Sequence, residues 1–245
     1  MANRFYLSGE QRSVRVNDLF ATIAPRYDLI NDLQSLGLHR WWKRRLVRLA
    51  GVRPGEQALD LCCGTGDVAF ALAKQGARVV GLDFSAPMLA IAQHRARKAA
   101  ENDLPSASRV PLFTQADAVT IPFPDNSFNV VTISYGLRNL PGLEAGLREM
   151  HRVIRPGGRM LALDFGKPDY APLCSAYFAY LKFFVPLFGR VFCGDAGTYG
   201  YIMESLKHYP AQQGVAAAMR EVKCVNVSIH NLLGGIMSIN YCEKP

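Results

Sequence analysis

Residues 57 to 83, QALDLCCGTGDVAFALAKQGARVVGLD, constrain the fold more than any other stretch of this chain. A short apolar run (Ala58, Leu59, Leu61) ends in Gly64-Thr65-Gly66-Asp67, and an apolar-periodic helix follows. A second run, Ala77 to Leu82, ends in Asp83, 23 positions after Asp60. Strand, glycine turn, helix, strand and terminal acid, in that order, describe one mononucleotide-binding half of a doubly wound α/β sheet. The glycines permit a tight turn and close approach of a ligand to the backbone. The acid can accept hydrogen bonds from both hydroxyls of a ribose.

A dinucleotide does not suit this turn. Its fingerprint carries three glycines, G-x-G-x-x-G, and seats a pyrophosphate on the helix N-terminus. Only Gly64 and Gly66 are present, and Val68 and Ala69 occupy the region of the third. Asp60 before the turn and Asp67 after it repel a phosphate and suit a cationic ligand. S-adenosylmethionine, with its sulfonium and α-amino group, fits that charge pattern. An ordinary strand-to-helix turn would explain the glycines, but not the agreement of turn, helix and distal acid.

Composition bounds the rest. At 49% hydrophobic, 245 residues suffice for one α/β domain with a full core. The longest apolar stretch, Ala171 to Cys193, is interrupted by Lys182, Pro186 and Arg190, whereas a spanning helix wants roughly 20 nearly uncharged residues. The first residues, MANRFYLSGEQRSVRVND, lack the apolar core of a signal peptide. The six cysteines show no CxxC pair and no zinc spacing, so no metal is expected, and Cys62-Cys63 read as small apolar residues in a reduced cytoplasm. The net charge of +8 gathers in clusters, His39 to Arg48 (HRWWKRRLVR) and His94 to Lys98. The first alternates bases with Trp41, Trp42, Leu46 and Val47. It suits a basic amphipathic helix for an anionic membrane or nucleic acid, or simply a solvated face over a packed one. No stacked-aromatic RNA motif accompanies it, so nucleic acid is the weaker of these.

Periodicity places helices over 12–24 and 37–50, strand 1 over 57–62, strand 2 over 77–82 and a helix from Ser85, as N-cap, to 101. Strand 3 falls near 110–115 and strand 4 over Phe128 to Ser134. A helix runs to Ile154, followed by the turn Arg155-Pro156-Gly157-Gly158 and strand 5 to Asp164. Residues 168–210 are aromatic-rich and read as helical. Runs at 222–231 and 236–242 flank Gly234-Gly235 and read as a closing hairpin.

These residues carry a family resemblance over nearly the whole chain. LDLCCGTGD, GLDFS, the QADA segment and RVIRPGGRMLALDF are general features of class I methyltransferases. More specific are FATIAPRYDLINDLQSLGLHRWWKR, IPFPDNSFNVVTISYGLRN, DFGKP at 164–168, YGYIMESLKHYP at 199–210 and NLLGG at 231–235. With them the chain resembles the quinone C-methyltransferases of menaquinone and ubiquinone biosynthesis. The resemblance implies a seven-stranded doubly wound sheet with a C-terminal antiparallel hairpin. It also implies a helical cap at 1–54, a cofactor half at 55–165, and an insertion with the hairpin at 166–245. The chain departs from the family at Val222-Lys223-Cys224, at Asn240 and Cys242, and at Gly200, in the half that helps shape the substrate side.

Carried over by position, the resemblance implies S-adenosylmethionine contacts from Gly64, Thr65 and Gly66 beneath the methionine part, with Asp60 near its ammonium. Asp83 would hold the ribose, Asp117 and Ala118 the adenine edge, and Ser134 the methionine side. The implied reaction is methylation of an aromatic ring carbon. Its acceptor is a reduced quinol, since a quinone ring is too electron-poor to attack a methyl. Loss of a phenolic proton puts charge on the adjacent carbon. Arg138 and Asn139 are the candidates for assisting that loss, with Tyr27 and Asp28 as alternatives. Arginine keeps its charge, so it stabilises the phenolate rather than taking the proton.

A prenylated naphthoquinol is the first acceptor reading. A benzoquinol of the ubiquinone path and, because Cys62-Cys63 and Tyr135 resemble phylloquinone-type members, a demethylphylloquinol remain open. The partners are then the prenylated quinol, a membrane surface visited without spanning, and a second copy of the chain. Tyr177, Phe178, Tyr180, Phe183, Phe184, Leu187, Phe188 and Phe192 are candidates for a tail groove. A non-catalytic scaffold disagrees with the intact turn and Arg138-Asn139. An RNA methyltransferase disagrees with the missing Asn/Asp-Pro-Pro-aromatic signature.

Overall fold

In the computed structural model of the protein the described residues are 24–102, 110–193, 203 and 205–245, the side chains of residues 25, 102 and 184–193 excepted. The helix expected over 12–24 falls almost wholly outside them. So do Gly200 and the side chains of Phe184, Leu187, Phe188 and Phe192.

Short apolar runs bounded by glycine turns become the central strands. β1 (Gln57–Leu61) is buried at four of its five positions, as a strand covered on both faces must be. It pairs in parallel with β2 (Arg78–Asp83) on one side and β4 (Phe128–Ser134) on the other, with Leu59 opposite Val80 and Val131. β3 (Leu112–Gln115) closes one edge beside β2. Beyond β4 lie β5 (Ile154–Phe165), β7 (Met237–Glu243) and β6 (Val225–Leu232), giving the order β3-β2-β1-β4-β5-β7-β6. β7 runs antiparallel to both neighbours, which is the closing hairpin the sequence implies. The chain moves outward from β1 through β2 to β3, then returns to β4. Strand order therefore reverses between β1 and β4, and open α/β sheets bind ligands above such a reversal.

Two cap helices come first, α1 (Tyr27–Ser35) and α2 (Leu38–Ala50). α3 (Asp67–Lys74), α4 (Ala86–Asn102) and α5 (Leu143–Val153) make the crossovers. α6 (Ala171–Cys193) is the insertion after β5, and α7 (Ala211–Glu221) precedes the hairpin. The sequence reading gave α7 no element. Its AQQGVAAAMRE has only Val215 and Met219 as large apolar residues, and these bury one face of the helix together with Ala211, Ala216 and Ala218. One core joins Leu59, Leu61, Leu82 and Ile133 to Leu147, Met150, Val215 and Met219. A second joins Trp42, Leu46 and Val47 of α2 to Val68, Leu72, Val130 and Leu163. The basic segment is thus a solvated face over a packed one. Full burial of Leu46 contributes roughly 1.5–3 kcal/mol.

Two local expectations need correction. Ser85 does start α4, since Leu89 N donates to its carbonyl at 3.1 Å. Its hydroxyl is buried with no hydrogen-bond partner, however, so it is not a side-chain cap. The departures at the C-terminal end do not face the cleft described below. The Asn240 amide donates to Gln212 O at 2.8 Å, tying β7 to α7. The buried Cys224 and Cys242 are free thiols that share a hydrogen bond. They repack the hairpin rather than shape a substrate wall.

Candidate active site

Above the carboxyl ends of β1 and β4 lies a cleft. Of the residues the sequence singled out, Tyr27, Gly64, Asp83, Asp117, Ala118, Ser134 and Asn139 line it. Asp60, Thr65, Gly66 and Arg138 do not line it but stand behind its walls.

Asp83 closes β2 with both carboxylate oxygens engaged. Gly64 N donates to Oδ2 at 2.7 Å and Ser85 N to Oδ1 at 2.9 Å. Burial pushes its carboxyl up, and the Ser85 and Gly64 N–H groups oppose that rise. Each oxygen keeps further lone pairs for a ligand's hydroxyls.

The glycine turn is held by contacts within the protein. Gly66 sits at φ 90°, where a Cβ would meet the Phe113 and Phe70 rings at 2.8 and 3.0 Å, so it serves close packing. The Thr65 hydroxyl donates to Asp28 Oδ1 at 3.0 Å, and Arg95 Nη1 to Thr65 O at 2.9 Å. The turn is therefore latched to α1, and Asp28 acts as that latch. Asp67 is corrected as well. Lys43 Nζ lies 2.9 Å from one of its oxygens and Arg95 Nη2 2.9 Å from the other. Burial pushes its carboxyl up, but the two cations outweigh that and the net shift is downward. Asp67 is neutralised by the protein and does not await a cationic ligand.

Asp60 is the carboxylate that remains. It is wholly buried at the end of β1, and Oδ1 accepts from Thr132 Oγ1 at 2.8 Å. Oδ2 is buried with no partner. Desolvation pushes its carboxyl up to about 7, against the pull of Thr132 and Lys43.

At the strand reversal the backbone is strained. Cys62 after β1 has φ 52° and Tyr135 after β4 has φ 58°, both in the left-handed region. Between them a Cβ on Gly136 would meet Cys62 Cβ at 2.5 Å, so only glycine lets the two strand ends approach. Burial pushes the Cys62 and Cys63 thiols well up, as suits small apolar residues rather than nucleophiles. Just beyond, Arg138 Nη1 donates to Asp164 Oδ1 and to Tyr135 O, each at 2.7 Å. Arg138 N donates to Asp164 Oδ2 at 3.2 Å, and the guanidinium lies 4.7 Å from the Phe165 ring centroid. Asn139 Nδ2 donates to Tyr135 O at 3.1 Å.

The ubiE/COQ5 methyltransferase family model matches residues 8–244. The chain belongs to that family. A ubiquinone/menaquinone biosynthesis C-methyltransferase UbiE of Cellvibrio japonicus is 39% identical over 239 residues, covering 96% of this chain and 94% of that protein. The UbiE of Ectopseudomonas mendocina is 41% identical, covering 96% and 91%. Among solved structures, a Thermotoga maritima S-adenosylmethionine-dependent methyltransferase, titled a possible histamine N-methyltransferase, superposes with TM-score 0.65. It is 14% identical over 93% of this chain and 99% of that one. A Methanococcus maripaludis putative methyltransferase gives 0.62 at 19% identity over 92% and 94%. At those identities the likeness shows the fold. This ubiE/COQ5 member is an S-adenosylmethionine-dependent methyltransferase.

The residues present fit that cofactor. Asp83 offers a fixed carboxylate at the end of β2. Asp60 holds an unpaired buried oxygen beneath the turn. Phe84, Met88 and Leu140 are further wall residues of the cleft, and only Phe84, following the acid, had a signal in the sequence. Hydrogen bonds to a charged group are worth about 1.5–3 kcal/mol each, and a ribose on Asp83 would make two of them. Asp83→Ala is therefore expected to weaken S-adenosylhomocysteine binding at least about 100-fold by calorimetry. A dissociation constant within about threefold of wild type would remove Asp83 from the ribose.

Proposed function

We propose that the protein methylates a ring carbon of a reduced, prenylated 1,4-naphthoquinone in quinone biosynthesis, converting demethylmenaquinol to menaquinol. The observation that carries this reading is the buried Arg138–Asp164 pair behind the far wall of the cleft, next to Asn139 and Leu140, which line it, and to apolar Leu137. A guanidinium held in such surroundings favours a phenolate that comes within its reach. S-adenosylmethionine, when bound, supplies an electrophilic methyl on a sulfonium. Asp83 holds its ribose, Asp117 and Ala118 border its adenine, and Gly64 and Ser134 its methionine side. Arg138 stabilises the ring oxygen as its proton leaves, Asn139 orients that oxygen, and Tyr27 closes the cleft over the acceptor. The relatives' names couple menaquinone with ubiquinone, and this supports a benzoquinol as the second reading.

The acceptor's tail also favours work at a membrane surface from the cytoplasmic side. Among the described residues no helix is long and apolar enough to cross a membrane. Leu29, Leu36 and Trp41 of the cap and Phe183 of α6 are exposed, beside the exposed Arg40 and Arg44. Such a surface can rest on an anionic bilayer.

The deciding assay incubates the enzyme with S-adenosylmethionine and chemically reduced demethylmenaquinone, or a reduced benzoquinone precursor, and reads mass gain. Addition of one methyl to the naphthoquinol is expected. Methylation of the benzoquinol alone would replace the first reading by the second.

A further inference from the structure

Two phenols stand beside the Arg138–Asp164 pair with nothing to bond. Tyr135 follows β4 and lines the cleft, while Tyr177 sits on the second turn of α6 and is 5% exposed. Both hydroxyls are buried with no hydrogen-bond partner. Folded proteins leave few such groups, because each loses its water and gains nothing in return.

The surroundings say what would satisfy them. Tyr135 is tied to Arg138 through its carbonyl, and its ring meets the Phe165 ring edge-on at 6.1 Å between centroids. The Arg138 guanidinium stacks on that same Phe165. Tyr177 packs in one cluster with Leu137 and Leu140, which flank Arg138-Asn139 in sequence. Burial pushes both phenols up, and the charges of Arg138 and Asp164 act on each. Both therefore remain neutral donors at any working pH. Asp60 Oδ2 and Ser85 Oγ, by contrast, are unpaired at the β1–β2 side of the cleft. Among the described residues Gln34, His39, Trp42 and His151 also keep buried side-chain atoms without a partner, but none of these lines the cleft; Tyr135 does, and Tyr177 stands with it beside the Arg138–Asp164 pair, beyond Ser134, where the acceptor remains to be held.

We propose that the Tyr135 and Tyr177 hydroxyls seat the ring oxygens of the acceptor, and that Tyr177, brought in by α6, is a catalytic residue. The assignment rests on the quinol reading given above. A ring hydroxyl that gives its proton to water leaves charge on oxygen, and a fixed neutral donor holds that oxyanion more strongly than the hydroxyl it replaces. The helical insertion then reaches the reacting ring itself.

Tyr177→Phe tests this, with Tyr135→Phe alongside. Loss of one oxyanion-type donor lowers kcat on the reduced quinol by about 100-fold. The acid limb of the kcat profile moves to higher pH, because the bound phenol loses a donor to its anion. S-adenosylhomocysteine affinity stays unchanged. The apo protein melts about 2–4 °C higher, since the hydroxyl removed had no partner. A lower melting temperature with unchanged kcat would mark a structural hydroxyl and overturn the proposal. A higher melting temperature with unchanged kcat and acid limb would place the acceptor elsewhere and overturn it equally. Binding of 1,4-dihydroxynaphthalene, followed by fluorescence, separates the seat from the quinol reading. If wild type binds it, Y177F does not, and no quinol is methylated, the seat stands and the quinol reading falls.

Discussion

Arg138→Ala is expected to lower kcat on the reduced quinol at least about 100-fold, the usual effect of removing a donor aimed at developing charge. It should also destabilise the fold. Asp164 is 2% exposed, and its carboxylate would lose the guanidinium held at 2.7 Å. Breaking a buried pair by deleting one partner costs about 3–5 kcal/mol, or a drop of roughly 10 °C in melting temperature for a domain of this size. Arg138→Lys separates the two effects. An ammonium keeps the charge near Asp164 but lacks the planar guanidinium that stacks on the Phe165 ring and the further N–H groups it carries. Its melting temperature should therefore recover most of the loss while kcat stays about tenfold or more below wild type. Turnover and thermal melts, measured with S-adenosylhomocysteine affinity as the check on the cofactor half, decide the matter. Wild-type kcat in a folded Arg138→Ala enzyme would remove Arg138 from the chemistry.

Asp60→Asn should change how stability depends on pH. The Asp60 carboxyl has an ordinary value of 3.8 and is pushed up to about 7 by burial. Between those values the native chain keeps a proton that the unfolded chain has released. Stability therefore falls as pH rises through that window, and the loss is complete above pH about 7. At about 1.4 kcal/mol per pH unit, this one group costs on the order of 4 kcal/mol at pH 8. The asparagine keeps an oxygen for Thr132 and never ionises. Denaturant titrations of the apo protein from pH 4 to 8 should show the slope in wild type and its absence in D60N. The groups around Asp60 bear this out, since Lys43 from α2 favours the charge and Asp83 from β2 opposes it. A bound ammonium would add to Lys43. Wild-type affinity for S-adenosylmethionine should thus strengthen as pH rises through about 7, with that strengthening lost in D60N. Identical pH slopes in the two proteins would mean another group titrates.

Most of the sheet was legible because its strands are local apolar runs with their own punctuation. Phe128 to Ser134 is the clearest case, since the Pro-Asp-Asn-Ser turn before it and the helix after it leave one reading, and β4 has those bounds. α7 was not legible, because AQQGVAAAMRE carries only two large apolar residues, Val215 and Met219, and the face it buries shows itself only where the helix packs on β6 and β7. Asp83, which lines the cleft, was visible from its distance to the turn alone. Its partners were not, since a clamp on Gly64 N requires β1 and β2 to be adjacent.

Residue type and spacing along the chain are enough for the glycine turn, the acid at the end of β2, the closing hairpin and the family, because each is a local pattern. Which charges remain for a ligand was decided only by the tertiary structure. Asp60 and Asp67 look alike in the sequence, on either side of one turn. Folding brings Lys43 and Arg95 onto Asp67 and leaves Asp60 in the core with an unpaired oxygen. The same holds for the two tyrosines beside Arg138. Spacing on a helix cannot tell a packed phenol from one whose hydroxyl has no partner, because that depends on what three distant strands and an inserted helix bring around it.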